Sequence, residues 1–216
     1  MKAKAETLSK QTLARRERRH VRRSGEIMET AVELFFRQGY HGVTVQEIAL
    51  AAEFGVGTLY RLFPGGKEDI YVALQEKVIA TFEANISANL KSVRDEHEII
   101  RRYIRAAADV YAEYPREMAV YLRDHTGISL DLEKGLGTDL AYRYQACADK
   151  VHKAIASGIK KGLFHPMPPN AAVRILRAII NGFFWTWLEQ PEQGPAINEL
   201  VELIETVFLR GVEISN

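Results

Sequence analysis

Apolar residues recur at helical spacing along nearly the whole chain, and nowhere do they alternate long enough to make a strand. Ile27, Ala31, Leu34 and Phe35 fall at i, i+4, i+7 and i+8, which predicts a first helix from about Arg23 to Gln38, stopped by Gly39. Thr44 opens a second helix. With Glu47 it forms an S/T-x-x-E capping box, in which the hydroxyl accepts a backbone N–H and the carboxylate reaches back. Val45, Ile48, Ala49 and Ala52 face inward, and the two alanines are small enough for a neighbouring helix to come close. Glu53, Phe54 and Gly55 make the turn. A third helix from about Val56 to Leu62 packs Leu59 and Phe63 inward and exposes Val56, Gly57, Thr58, Tyr60 and Arg61, before Pro64, Gly65 and Gly66 break the chain.

Six more helices follow, about nine in all, and the expected class is all-α. The fourth runs from about Lys67 to Leu90, with Ile70, Leu74, Val78 and Phe82 on one stripe. The fifth runs from Glu96 to Tyr114 and ends at Pro115. A short sixth covers Arg116 to Asp124, and the glycine-bearing segment His125 to Gly137 reads as a loop. The seventh spans Thr138 to Lys161, the eighth Asn170 to Glu189, and the ninth Pro195 to Val212. The eighth is apolar nearly all round, which a helix wet on one side is not. Six other helices can cover only part of that surface together with the ninth. The two therefore predict half of a symmetric four-helix interface with a second copy, through Ile180, Phe184, Trp187, Leu203, Val207 and Phe208. Burial inside the chain is the plainer alternative. Three regions result: residues 1–22, 23–66, and 67–216.

Charge changes the picture at the N-terminus. The 216 residues carry a formal net charge of +1, yet residues 1–23 hold nine Lys/Arg against Glu6 and Glu17, a net +7. Residues 1–20 lack apolar periodicity and read as a basic arm, with helix beginning at about Thr12. A polyanion partner and a merely solvated tail are both open for it. The single cysteine, Cys147, excludes an internal disulfide framework. The longest apolar run, Ala178 to Leu188, is too short to span a bilayer, which takes ~20 residues, and no apolar signal core is present. A soluble, cytoplasmic protein is expected.

Two short helices joined by a tight turn, the second polar and bearing a glycine, form a helix-turn-helix, the unit that lays one helix in the DNA major groove. The details resemble the TetR (tetracycline repressor) family. Its signature is similar to Thr44, Val45, Gln46, Glu47, Ile48 and Ala49, then Gly57, Thr58, Leu59 and Tyr60, then Phe63, Lys67 and Glu68, with Phe35, Gly39 and Tyr40 before them. The likeness covers about residues 25–75; beyond it only the all-α pattern agrees. It implies an N-terminal three-helix DNA-binding domain and a C-terminal helical domain for ligand binding and dimerisation. It further implies a homodimer on an inverted-repeat operator, a small-molecule effector that releases the DNA, and no cofactor. The usual Ala-Gly-Val-Ser turn is here Ala52, Glu53, Phe54 and Gly55, which puts Glu53 at a left-handed position where it is strained, and the link to Lys67 is one residue longer.

The DNA-contact candidates follow. Thr44 sits at a helix N-terminus that suits a phosphate, and Gly57 allows close backbone approach. Thr58, Tyr60 and Arg61 project from the third helix, Arg61 toward a guanine edge. Lys67 looks like the family's phosphate-contacting lysine. Residues 24–66 are nevertheless acidic, five Glu against Arg37 and Arg61, so attraction is assigned to the arm through Arg19, Arg22 and Arg23. Tyr103, Tyr111, Tyr121, Tyr142, His152 and Trp185 are candidates for an apolar effector pocket with a few polar groups, each alternatively a satisfied core residue. His125, His152 and His165 lack metal-ligand spacing, and Asp124 and His125 lack a nucleophile at legible distance, so neither a metal site nor an enzyme is expected. The competing reading is a helical interaction or architectural protein that binds DNA without sequence preference.

Overall fold

A computed structural model describes the backbone of residues 2–125, 132–190 and 194–214, with side chains described for 15–123, 139–190 and 194–214. Among these residues the secondary structure is helical: α1 Lys2–Gln38, α2 Val45–Ala51, α3 Val56–Leu62, α4 Lys67–Leu90, α5 Glu96–Glu113, α6 Pro115–His125, α7 Leu132–Lys160, α8 Pro169–Glu189 and α9 Ile197–Val212. The chain divides into two compact units, Met1–Leu74 and Gln75–Asn216, so the boundary falls inside α4 rather than at residue 66.

The largest difference from expectation is α1. It runs unbroken from Lys2, so residues 2–22 are an extension of the first helix and not a separate arm. Of this stretch residues 15–22 are exposed, and burial begins at Ile27. Arg, Lys, Gln, Glu and Ala are good helix formers, and intrinsic propensity sustains the helix where packing does not. The second difference is at α7, which begins at Leu132, so residues 132–137 of the expected loop are helical while 126–131 lie outside the described residues.

In the first unit, α2 and α3 pack on α1 around Ile27, Ala31, Phe35, Ile48, Ala49 and Leu59. The turn between α2 and α3 is a Schellman motif. Phe54 N–H donates to Ala49 O at 2.8 Å and Glu53 N–H to Leu50 O at 3.1 Å, which requires the left-handed φ of 58° at Glu53. The expected strain is thus present. Replacing Glu53 with Gly should remove it and raise stability by about 1 kcal/mol, read as a higher Tm.

In the second unit, α5 is the central element, packed against α7, α9, α8 and α6. Its Asp95 cap accepts Glu98 N–H at 2.8 Å, and Ala106, Ala107 and Ala108 are all buried, small enough for close helix approach. Glu96 accepts Ser157 Oγ and Lys161 Nζ, which hold its carboxyl down to about 2. The end of α9 is pinned to the link before α8: His165 N–H donates to Val212 O at 2.7 Å and Ile214 N–H to Leu163 O at 3.2 Å. Phe164 lies across α7 so closely that a Cβ at Gly158 would sit 2.2 Å from its ring.

Candidate functional site

The outward face of the helix-turn-helix is built by local sequence. Thr44 and Glu47 close the capping box: Thr44 N–H and hydroxyl donate to Glu47 Oε2 at 2.8 and 2.7 Å, and Glu47 N–H donates to Thr44 Oγ1 at 3.2 Å. Those bonds hold the Glu47 carboxyl below its usual range. Both donors of Thr44 are therefore already engaged by a carboxylate, at the place assigned to a phosphate. On α3, Leu59 is fully buried while Gly57, Tyr60 and Arg61 are exposed and Thr58 is half-buried. A Cβ at Gly57 would meet nothing within 4 Å. Nothing inside the chain explains a glycine there; the open space lies on the outer surface.

Lys67 is placed differently from expectation. Its Nζ donates to Tyr40 O at 3.0 Å and Val43 O at 2.9 Å, and lies 4.6 Å from the centre of the Tyr40 ring. Tyr40 also meets Phe35 and Tyr71, each at 5.2 Å between ring centres. The lysine thus ties the α1–α2 link to the start of α4, with one N–H left over from its three.

The basic half of α1 supplies the cations that the helix-turn-helix lacks. Arg16, Arg19, His20 and Arg23 fall at helical spacing on one face and share a groove with Arg61 and Leu62 of α3. Arg15, Arg18, Arg19 and Arg22 line a second cleft, and Arg22 pairs with Glu26 at 3.5 Å. Sequence reasoning placed DNA contacts within residues 15–23 and singled out Arg19, Arg22 and Arg23; the i, i+3, i+4, i+7 spacing of the helix adds Arg16 and His20 to the face beside Arg61.

The second unit encloses a narrow cavity of about 30 Å³ among α4, α5, α6, α7 and α8. Of the predicted pocket residues, Tyr103 and Tyr111 line it. Tyr111 stacks on Phe184 at 4.4 Å and donates to Asn181 Oδ1 at 2.8 Å. Tyr121 is buried nearby, 6.5 Å from Tyr144 between ring centres. Tyr142 is not in the pocket: it is 75 % exposed. His152 and Trp185 are half-buried and outside the cavity lining. Tyr144, Arg177 and Asn181 line it instead. Arg177 was legible in principle, since it sits four residues after Val173 and three before Ile180, on the buried stripe of α8. Cys147 is buried, its thiol pushed up to about 11 by desolvation.

The predicted interface set divides in two. Ile180, Phe184 and Phe208 are at most 2 % exposed and belong to the core of the unit, a correction that follows from α8 packing on α5, α6, α7 and α9 at once. Leu203 and Val207 are exposed and Trp187 is half-buried. Between α8 and α9 lies an open apolar groove of about 600 Å³, walled by Ile179, Gly182, Phe183, Trp187 and Leu203.

Residues 27–74 match the family described as bacterial regulatory proteins of the tetR family, the same stretch that forms the helix-turn-helix and the start of α4. Over this stretch the chain carries the DNA-binding segment of the TetR family. It is similar to the transcriptional regulator RutR of Escherichia coli K12, 25 % identical over 170 residues that cover 77 % of this chain and 76 % of that one. The fold is that of the ketosteroid transcriptional regulator KstR2 of Mycobacterium tuberculosis (TM-score 0.72, 19 % identity, 89 % of this chain and 96 % of that one). It is also that of AibR, solved with isovaleryl coenzyme A and operator DNA (TM-score 0.70, 19 % identity, 86 % and 97 %). The protein is a helix-turn-helix transcriptional regulator. Among the described residues, no helix is long and apolar enough to cross a membrane and no group of metal-ligating side chains gathers.

The groove side of α3 gives a direct check. Gly57→Ala should leave the fold intact or raise its stability by up to about 1 kcal/mol, since alanine is the better helix former. With α3 laid in the major groove, it should nevertheless weaken operator binding at least about tenfold, because the new methyl would stand between the helix backbone and the DNA. Thermal unfolding and DNA anisotropy on the same preparation separate the two effects.

Proposed function

We propose that the protein is a dimeric repressor that binds an inverted-repeat operator and leaves it when a small effector enters the cavity of the second unit. It acts in the cytoplasm, by binding and without turning over a substrate. The observation that carries this reading is the outward face of α3. Gly57, Thr58, Tyr60 and Arg61 are presented together beside the arginine face of α1, so one surface offers both base-edge groups and phosphate-seeking charge. In this reading Arg61 and Thr58 read bases, Tyr60 meets the backbone or a thymine methyl, and Arg16, Arg19 and Arg23 follow phosphates. Lys67 and Thr44 hold the scaffold, with the remaining Lys67 N–H available to a phosphate.

Pairing through α8 and α9 is supported by the groove beside Trp187, Leu203 and Val207, an apolar surface that a second copy would cover. The route from effector to DNA is supported by α4, whose Val78 and Phe82 line the cavity and whose first residue is Lys67. AibR, solved with both an acyl thioester and operator DNA, is a protein of this fold that holds both kinds of partner. The test is a footprint on the DNA flanking the gene. A two-fold symmetric protected site supports the repressor; protection without defined boundaries, lost with modest salt, supports the non-specific alternative.

A further inference from the structure

The cavity contains a charge that the protein does not balance. Arg177 on α8 is 7 % exposed, and its Nε has no hydrogen-bond partner. Nη1 reaches Gln145 Oε1 at 3.5 Å, and the guanidinium lies 4.3 Å from the centre of the Tyr144 ring. Its charge faces the hydroxyls of Tyr144, Tyr103 and Tyr121, and Tyr144 also accepts a hydrogen bond from it, but all three are neutral phenols. Among the described residues no carboxylate bonds to it. More exposed arginines are paired: Arg143 with Glu83, Arg102 with Glu98, Arg37 with Glu33. A guanidinium cannot shed its proton in a protein, and burying one without a counter-ion is costly. The surroundings are apolar, with Val78, Phe82, Ala107, Val110 and Met118 on the walls. Burial pushes the phenols of Tyr103 and Tyr111 upward, so both are neutral and able to donate.

We infer that the effector is an amphipathic organic carboxylate, its head taken by the Arg177 fork and its apolar body by the cavity walls. The inference rests on reading this cavity as the effector site. Arg177 is the one cation among the described lining residues, so a single negative charge is matched there, whereas a phosphate dianion would bring a second, unmatched charge into an apolar site. At about 30 Å³ the cavity holds roughly a water or two, so the occupant displaces side chains; Met118, unbranched and flexible, is the wall best able to give way.

The experiment measures binding of butanoate, octanoate, dodecanoate and 3-phenylpropanoate to the full chain, each against its own primary amide, with octyl phosphate as a further probe. At least one acid is expected to bind about tenfold or more tightly than its amide, the usual worth of a charge-assisted pair. Arg177→Met should erase that preference, and Arg177→Lys should restore part of it. Equal binding of acids and amides, a preference surviving in Arg177→Met, binding of octyl phosphate alone, or no binding across the series would each overturn the inference. The wild-type comparison stands even if a variant fails to fold. Anisotropy on the footprinted duplex separates the two readings. An acid that binds without releasing DNA contradicts the repressor mechanism and leaves the carboxylate site standing. Release by acids and amides alike does the reverse.

Discussion

Leu203→Glu combined with Val207→Glu should turn a dimer into folded monomers that no longer hold an operator. The two residues lie one turn apart on α9 and are 44 % and 45 % exposed, so neither supports the core of its own unit. Glutamate is a good helix former, and α9 should survive the change. In a two-fold interface each substitution appears twice, so four carboxylates would be placed against a groove whose described lining holds no cation. At several kcal/mol for burying each unpaired charge, the dimer dissociation constant should rise by roughly a thousandfold or more. A monomer engages one half-site, so operator affinity should collapse with it. Sedimentation at micromolar concentration, with circular dichroism as a control for folding, checks the result. A double variant that remains dimeric would move the interface elsewhere. The same substitutions at Ile180 or Phe184 would be uninformative, because those side chains are inside the unit and their loss unfolds it.

The second large effect concerns α1. Replacing Arg16, Arg19 and Arg23 together with Gln should lower operator affinity by roughly a hundredfold near physiological salt. It should also reduce the slope of log K against log salt by about 2.7, at about 0.9 for each phosphate no longer neutralised. Gln keeps helix propensity, so α1 should persist. This design is cleaner than deleting residues 1–20, which would shorten a helix continuous with the three-helix unit. The loss should be nearly uniform across DNA sequences, since these arginines follow the backbone, whereas Arg61→Ala should relax preference at particular bases. A triple variant with an unchanged salt slope would mean that the helix face beside Arg61 does not touch DNA.

The helix-turn-helix was readable because its determinants are local. Thr44 and Glu47 are three residues apart and satisfy each other; Glu53 sits where the Schellman turn demands a left-handed residue. The extension of α1 was not readable from periodicity, because its exposed residues 15–22 carry no apolar stripe to count. The cavity of the second unit was half readable for a different reason. Tyr142 and Tyr144 are two positions apart on α7, about 200° around a helix, so one is exposed and the other lines the cavity. Fixing which is which requires knowing what α7 packs against. Arg177 was passed over because the apolar residues around it on α8 dominated the pattern. The same packing hid the fate of Ile180 and Phe184, since a helix covered on several sides has no spare face for a partner there.

At the centre of this account is a surface that reads sequence and does more than attract DNA. The measurement that tests it most directly is the ratio of affinities, at one physiological salt concentration, for the footprinted duplex and for a scrambled duplex of equal length and composition. A specific repressor should prefer its site by roughly a thousandfold or more. A ratio near one, with both affinities falling together as salt rises, would contradict the account.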